Sequence, residues 1–255
     1  MLLQVKDLTH YFGGLCAVSN FNLELGSGEL VGIIGPNGAG KTTIFNLITG
    51  VYRASRGSIV FEGTEITGMK PHRITGRGIA RTFQNIRLFN NLTVLDNIRT
   101  AFYSEAAYGP LQALFHSGRY RADEREIARR SFDLLSIFRL SDYSGEISRN
   151  LPYGLQRRLE IARALAARPQ LLLLDEPAAG MNPNEIRGLM DFIIWIKKNF
   201  SLTILLIEHQ MPLVMGLCER LEVLDFGETI ARGTPEEIRS NRRVLEAYLG
   251  EEQKP

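Results

Sequence analysis

The chain has 255 residues, of which 44% are hydrophobic and 23% charged, an ordinary globular composition with room for one α/β domain and a subdomain. A formal net charge of +2 is too small to argue for a nucleic-acid partner. Cys16 and Cys218 form neither a disulfide framework nor a C-x-x-C metal pair, the histidines (His10, His72, His116, His209) lack metal-ligand spacing, and a reducing cytosolic setting is expected.

Met1 to Lys6 shows no basic stretch before an apolar core, so no signal peptide is expected. Residues 3–8 and 20–25 alternate apolar and polar (Leu3, Val5, Leu8; Phe21, Leu23, Leu25), and Ser58–Phe61 is similar; these predict strands of an antiparallel sheet. Tyr11 and Phe12, followed by Gly13-Gly14, put an aromatic pair on a turn, suited either to core packing or to stacking on a base. Glu29–Gly35 predicts a short buried strand. Lys41–Thr49 predicts a helix with Ile44, Phe45, Leu47 and Ile48 apolar and Gly50 as its stop.

Between that strand and helix run Gly35, Pro36, Asn37, Gly38, Ala39, Gly40, Lys41, Thr42 and Thr43, a match to G-x-x-x-x-G-K-[ST]. The glycines let the backbone curl so that several N–H groups point at one phosphate chain. Lys41 can bring an ammonium to the β- and γ-oxygens, and the Thr42 hydroxyl can complete a Mg²⁺ shell. The phosphates would lie at a helix N-terminus, where the dipole favours anions.

Gly78–Gln84 predicts another strand. Residues 86–158 read as a helical insert in the α/β core, with helical spacing at Ile127, Leu134, Leu135 and Phe138 and a turn at Tyr108–Pro110. Its arginines between Arg119 and Arg130 interleave with Asp123, Glu124 and Glu126, as on a solvated helix face. Leu155–Ala167 predicts a helix with Leu155, Leu159, Ala162 and Leu165 on one face and arginines on the other. Leu171–Leu174 has the continuous apolarity of a buried parallel strand. Asn182, Pro183, Asn184 and Glu185 form a helix start, continued by Ile186, Leu189, Met190 and Ile193 as its buried face. Leu202–Ile207 predicts the next strand, ending at Glu208-His209. The longest apolar runs, Leu171–Leu174 and Ile204–Ile207, are far short of the ~20 residues of a membrane helix. The tail Glu251–Pro255 is expected to be disordered.

Asp175 and Glu176 follow a strand at its carboxyl end, where α/β proteins place ligands. In company with the glycine-rich loop, Asp175 suits Mg²⁺ and Glu176 suits a general base for water attacking the γ-phosphate. His209, at the next strand end, can contact the γ-phosphate or orient the water. On spacing alone Gln84 is a polar side chain after a strand and nothing more.

The order of these features, with Leu151, Pro152, Tyr153, Gly154 and Leu155 opening the run to Arg163, resembles the ATPase subunit of an ABC transporter over essentially the whole chain. Phe12–Leu15, Arg81–Phe89, Tyr153–Arg163, Asp175–Gly180, Leu206–His209, the length of the helical insert and the ending from Gly233 resemble the LivG-type subunits of branched-chain amino acid importers. The resemblance implies an α/β fold: a P-loop NTPase (RecA-like) core (1–85 and 159–255) with an antiparallel β subdomain and an inserted α-helical subdomain (86–158). It implies an enzyme hydrolysing ATP with Mg²⁺. Phe12 would stack on adenine, Gln84 would sense the γ-phosphate and Mg²⁺, and Leu151–Leu155 would reach the ATP of a second ATP-binding subunit. The other expected partners are two transmembrane permease subunits and an extracytoplasmic substrate-binding protein, with no nucleic acid. The chain would sit peripherally on the cytoplasmic face of the plasma membrane. Rival readings are a lipid or drug exporter, a urea or amide importer, a soluble ABC ATPase acting on nucleic acid, and a regulator that binds ATP without hydrolysing it.

The signature departs from the usual Leu-Ser-Gly-Gly-Gln. Pro152 offers neither hydroxyl nor N–H, and Tyr153 adds bulk where glycine lets the backbone approach. Losing one charge-assisted hydrogen bond of ~1.5–3 kcal/mol weakens such a contact by roughly ten- to a hundredfold. Asn182 stands where the family's D-loop has Asp. An unlike partner subunit and two unequal ATP sites are expected.

Overall fold

The structure is a computed structural model that describes residues 1–103 and 108–252. Strand pairing continues past the expected limits, through register shifts that break the alternation of buried and exposed side chains, giving β1 (Leu3–Phe12) and β2 (Leu15–Leu25), paired antiparallel. With β4 (Arg56–Phe61) and β5 (Thr64–Glu65) they form a four-stranded antiparallel sheet in the order β2-β1-β4-β5.

The second sheet holds six strands, in the order β10-β9-β3-β8-β7-β6. Its inner strands β3 (Leu30–Ile34), β7 (Leu171–Asp175) and β8 (Thr203–Ile207) are buried at every position, as continuous apolar runs in a parallel sheet require. The strand expected over Gly78–Gln84 is shorter: β6 (Ile79–Arg81) pairs with Leu171–Leu173 of β7, and one further bond, Thr82 N–H to Leu173 O (3.0 Å), precedes its departure. The chain is thereby released three residues before Gln84. β9 (Arg220–Asp225) runs parallel to β3, and β10 (Glu228–Gly233) returns antiparallel. Phe21, Phe45, Phe61, Ile33 and Leu173 join both sheets and the first helix, α1 (Lys41–Ile48), in one apolar core.

The helices in chain order are then α2 (Pro71–Thr75), α3 (Val94–Phe102), α4 (Pro110–Leu114), α5 (Gly118–Ile137), α6 (Tyr153–Ala166), α7 (Pro183–Asn199), α8 (Met211–Leu217), α9 (Pro235–Arg239) and α10 (Arg242–Glu252). α7 starts where the sequence predicts. Asn182 accepts from the N–H groups of Asn184 and Glu185, and Glu185 returns the bond, closing a capping box. Leu189 and Ile193 are buried beneath it, and Ile186 and Met190 are half-buried. α10 takes in Glu251 and Glu252, correcting the expected disorder there; residues 253–255 lie outside the described residues.

The described chain divides into two units, Met1–Gln84 with the residues from Gln170 onward, and Asn85–Pro169. The second unit packs α3, α5 and α6 through Val94, Ile98, Phe102, Ile127, Leu134, Leu135 and Leu159. The arginines of α5 are only partly a solvated face: Arg129 bridges Glu126 and Asp133 in the open, but Arg130 stacks 4.3 Å from the Phe102 ring centroid. The expectation that the α6 arginines face solvent fails at Arg157, which is 1% exposed and pairs with buried Glu160 at 2.7 Å. An i,i+3 partner on the same helix face makes that burial tolerable. No helix among the described residues is long and apolar enough to cross a membrane.

Candidate nucleotide site

β3, β8, β7 and β6 are consecutive parallel neighbours. Their carboxyl ends therefore lie side by side, and each delivers one part of the site. Gly35–Thr43 follows β3, His209 follows β8, Asp175 and Glu176 end β7, and Gln84 follows β6.

The loop after β3 owes its shape to glycine at two close approaches. A Cβ on Gly35 (φ 147°) would come within 2.0 Å of the Leu224 carbonyl oxygen, and one on Gly40 (φ 100°) within 2.5 Å of that of Ala17. Lys41, 6% exposed, donates from Nζ to the carbonyls of Gly35 (2.6 Å) and Pro36 (2.7 Å), which hold its ammonium over the loop. α1 begins with no side-chain cap and no acidic residue in its first turn, so its N-terminal donors and dipole favour an anion. Thr42, in that first turn, is exposed.

Asp175 is 3% exposed, and its Oδ2 accepts from Arg81 Nη2 at 2.6 Å. Glu176 has a left-handed backbone (φ 45°), which costs a non-glycine residue about 1–2 kcal/mol, and its N–H donates to Ile207 O at 2.8 Å. Its Oε2 accepts from Gln84 Nε2 at 2.6 Å. His209 is half-exposed, with Nδ1 3.7 Å from Glu176 Oε2, outside direct hydrogen-bond range. Among the described residues no group of three or more His, Cys, Asp or Glu could hold a metal by itself. The oxygen donors present, the Thr42 hydroxyl, the Gln84 amide and the Asp175 carboxylate, fit Mg²⁺, which takes one or two carboxylates and fills its octahedron with water and phosphate oxygens.

Phe12, at the end of β1, is 44% exposed and braced by two rings: His10 (centroids 4.6 Å) and Tyr52 (5.2 Å) meet it edge-on, while His10 and Tyr52 stack in parallel at 5.5 Å. The ring is thus packed on one part by its neighbours and open on the rest.

The sequence profile of the family "ABC transporter" matches residues 18–179, and that of "Branched-chain amino acid ATP-binding cassette transporter" matches residues 228–254. The high-affinity branched-chain amino acid transport ATP-binding protein LivG of Escherichia coli is 44% identical over 98% of both chains. The chain belongs to the ABC transporter family. It is a LivG-like ATP-binding subunit and an ATPase. The lipopolysaccharide export ATP-binding protein LptB of Haemophilus influenzae is 34% identical over 98% of both chains. A crystal structure of the ADP conformation of an ATP-binding cassette from an ABC transporter superposes with a TM-score of 0.85 at 31% identity, covering 98% of each chain.

In this cassette the signature segment lies in the second unit, apart in sequence from the four strand ends of the first. Leu151 is buried, and Pro152 is the N-cap of α6 without a side chain able to cap it. Tyr153 is 42% exposed; its hydroxyl accepts from Arg157 Nη2 at 3.2 Å. Gly154 is exposed and Leu155 half-buried.

Sequence reasoning missed Arg81 and Glu208. Glu208 is fully buried; its Oε1 accepts from Ala178 N–H (2.9 Å), and its Oε2 from the N–H groups of His209 (2.7 Å) and Gln210 (3.0 Å). These bonds tie the loop after Glu176 to the loop carrying His209 and satisfy a carboxyl group that would otherwise be costly to bury. The available signal was an acidic residue directly after a strand that is apolar from Ile204 to Ile207.

Proposed function

We propose that this chain is the motor of an importer for branched-chain amino acids. ATP lies with its phosphates in Gly35–Thr43 and its adenine against Phe12. Lys41 and the N-terminal amides of α1 hold the phosphates, Glu176 takes the proton of the attacking water, His209 orients the γ-phosphate, and Gln84 senses the nucleotide from its bond to Glu176. Thr42, Gln84 and Asp175 would hold Mg²⁺, which when bound would neutralise charge on the β- and γ-phosphates.

The helical unit carries Leu151–Leu155 to the ATP of a second, non-identical ATP-binding subunit. ATP closes the pair and hydrolysis opens it, driving two permease subunits between inward- and outward-facing states while a substrate-binding protein delivers cargo from outside. The pair works at the cytoplasmic face of the plasma membrane. Four adjacent strand ends delivering loop, acids, amide and histidine together support the motor. The cargo rests on the 44% identity to LivG, against 34% to LptB.

The test is the assembled complex in proteoliposomes with its binding protein. Leucine, isoleucine or valine should be retained by the binding protein, accumulate inside with ATP, and stimulate phosphate release. Retention of none of the three would overturn the cargo, and stimulation by a lipid or by urea would replace it.

Phe12→Ala should weaken ATP binding by roughly five- to a hundredfold, matching the ~1–3 kcal/mol of a base stacked on an aromatic ring. Binding of inorganic triphosphate should not change. Equal losses for both ligands in a titration would remove Phe12 from the adenine site.

A further inference from the structure

Arg81 ends the short edge strand β6, opposite Leu173 in register, and its side chain reaches Asp175 two residues further along the same face of β7. The guanidinium is held from both sides. Nη2 donates to Asp175 Oδ2 at 2.6 Å, and Nη1 donates to Asn46 Oδ1 at 2.7 Å and Thr49 Oγ1 at 3.4 Å, both on α1 or its C-cap. Phe45 and Phe83 lie beside it, 5.4 and 4.9 Å from Cζ to the ring centroids. The side chains of Arg81 and Asp175 are 6% and 4% exposed.

Stability does not account for this arrangement. A buried ion pair roughly breaks even against apolar packing, and the buried Nε–H of Arg81 has no acceptor among the described residues, which carries its own penalty. What the arrangement does is geometric. One planar fork spans α1, the helix that carries Thr42 in its first turn, and the carboxylate that ends β7. It engages Asp175 through Oδ2 alone, so Oδ1 takes no protein donor among the described residues. Lysine, with one compact ammonium, cannot hold Asn46 and Asp175 in this way.

We propose that Arg81 is a positioning residue for Mg²⁺: it clamps α1 to β7 so that Thr42 and Asp175 Oδ1 are held at a fixed separation for the cation. This rests on the assignment of Thr42 and Asp175 as metal donors made above. The role is that of an outer partner that orients a ligand, whose loss typically weakens metal binding by roughly ten- to a hundredfold.

The test uses the full chain, the non-hydrolysable imido analogue of ATP, and Mn²⁺ as a paramagnetic probe. Two quantities are read: the gain in nucleotide affinity when Mn²⁺ replaces EDTA, and the Mn²⁺ electron paramagnetic resonance spectrum of the ternary complex. Arg81→Lys keeps the charge and loses the fork. It should cut the gain by roughly tenfold and alter the spectrum, with affinity in EDTA within about threefold of wild type. Asn46→Ala leaves the ion pair but removes its anchor on α1, and should lower the same gain by a smaller factor. It decides the matter if Arg81→Lys does not fold. A fall in melting temperature with unchanged gain and spectrum would make Arg81 merely structural and overturn the proposal. Asp175→Asn is the control. If it too leaves the gain unchanged, the donor assignment itself is wrong; if it abolishes the gain while the Arg81 and Asn46 variants do not, only the clamp is wrong.

Discussion

Lys41→Ala should abolish ATP binding at cellular nucleotide concentrations while leaving the fold in place. In the structure the Lys41 ammonium is buried over the loop by the carbonyls of Gly35 and Pro36, at 2.6 and 2.7 Å. From there it is the only cation in the Gly35–Thr43 segment, so the phosphates have no substitute for it within the loop. A charge-assisted hydrogen bond contributes ~1.5–3 kcal/mol, and a lysine serving both β- and γ-oxygens makes two, so affinity should fall about a hundredfold or more. The fold has little reason to fail. Lys41 is the first residue of α1, alanine is the strongest helix former, and the apolar anchors Ile44, Phe45, Leu47 and Ile48 are untouched. Calorimetric titration with ATP, beside a thermal melt followed by circular dichroism, separates the two effects. Unchanged affinity would contradict the phosphate assignment of the whole loop.

The parts of this site that were legible in the sequence are those in which local pattern and chemistry coincide. The four leucines before Asp175 have the length and continuous apolarity of a buried parallel strand, which puts the acids at their end at the sheet's carboxyl edge. Asn182 to Glu185 carries its own cap, and the glycine-rich loop announces a strand on one side and a helix on the other. What stayed hidden depends on which residues meet across the sheet. Arg81 lies 94 positions from Asp175, and nothing near it in sequence says that β6 would pair beside β7 in the register that brings them together. Arg157 looked like a surface charge because helical spacing places it correctly for the polar face; only Glu160 one turn on, buried with it, reverses that reading. The rings bracing Phe12 come from β1 and from the turn after α1, and no periodicity links them. Long polar side chains on edge strands and helix flanks are where pattern reasoning is weakest, because their reach exceeds the spacing the pattern measures.

Glu176→Gln should leave ATP binding and the melting temperature near wild type and lower hydrolysis by roughly 10²–10⁴-fold, the usual contribution of a general base. The substitution is close to isosteric. A glutamine carbonyl can still accept from Gln84 Nε2, where Glu176 Oε2 now does at 2.6 Å, so the left-handed turn and its bond to Ile207 need not shift. Single-turnover phosphate release at saturating ATP is the measurement, and a rate within tenfold of wild type would remove Glu176 from the role of base. In the assembled complex the same substitution bears on the symmetry of the motor. On the proposed pairing, this chain's signature would present its partner with Pro152, an N-cap of α6 that cannot cap with its side chain, and half-exposed Tyr153, the latter tied by its hydroxyl to Arg157. Neither residue can supply the serine hydroxyl and close backbone that the usual signature brings to a phosphate. In that pairing, the site built on this chain's own loop and Glu176 would depend on the partner's signature, and the site built on the partner's loop would depend on this weaker one. Glu176→Gln should then stop transport, while the matching substitution in the partner should leave a measurable fraction. Equal loss from both would mean that Pro152 and Tyr153 serve the partner's ATP as well as the usual residues do, and the case for two unequal sites would fall with it.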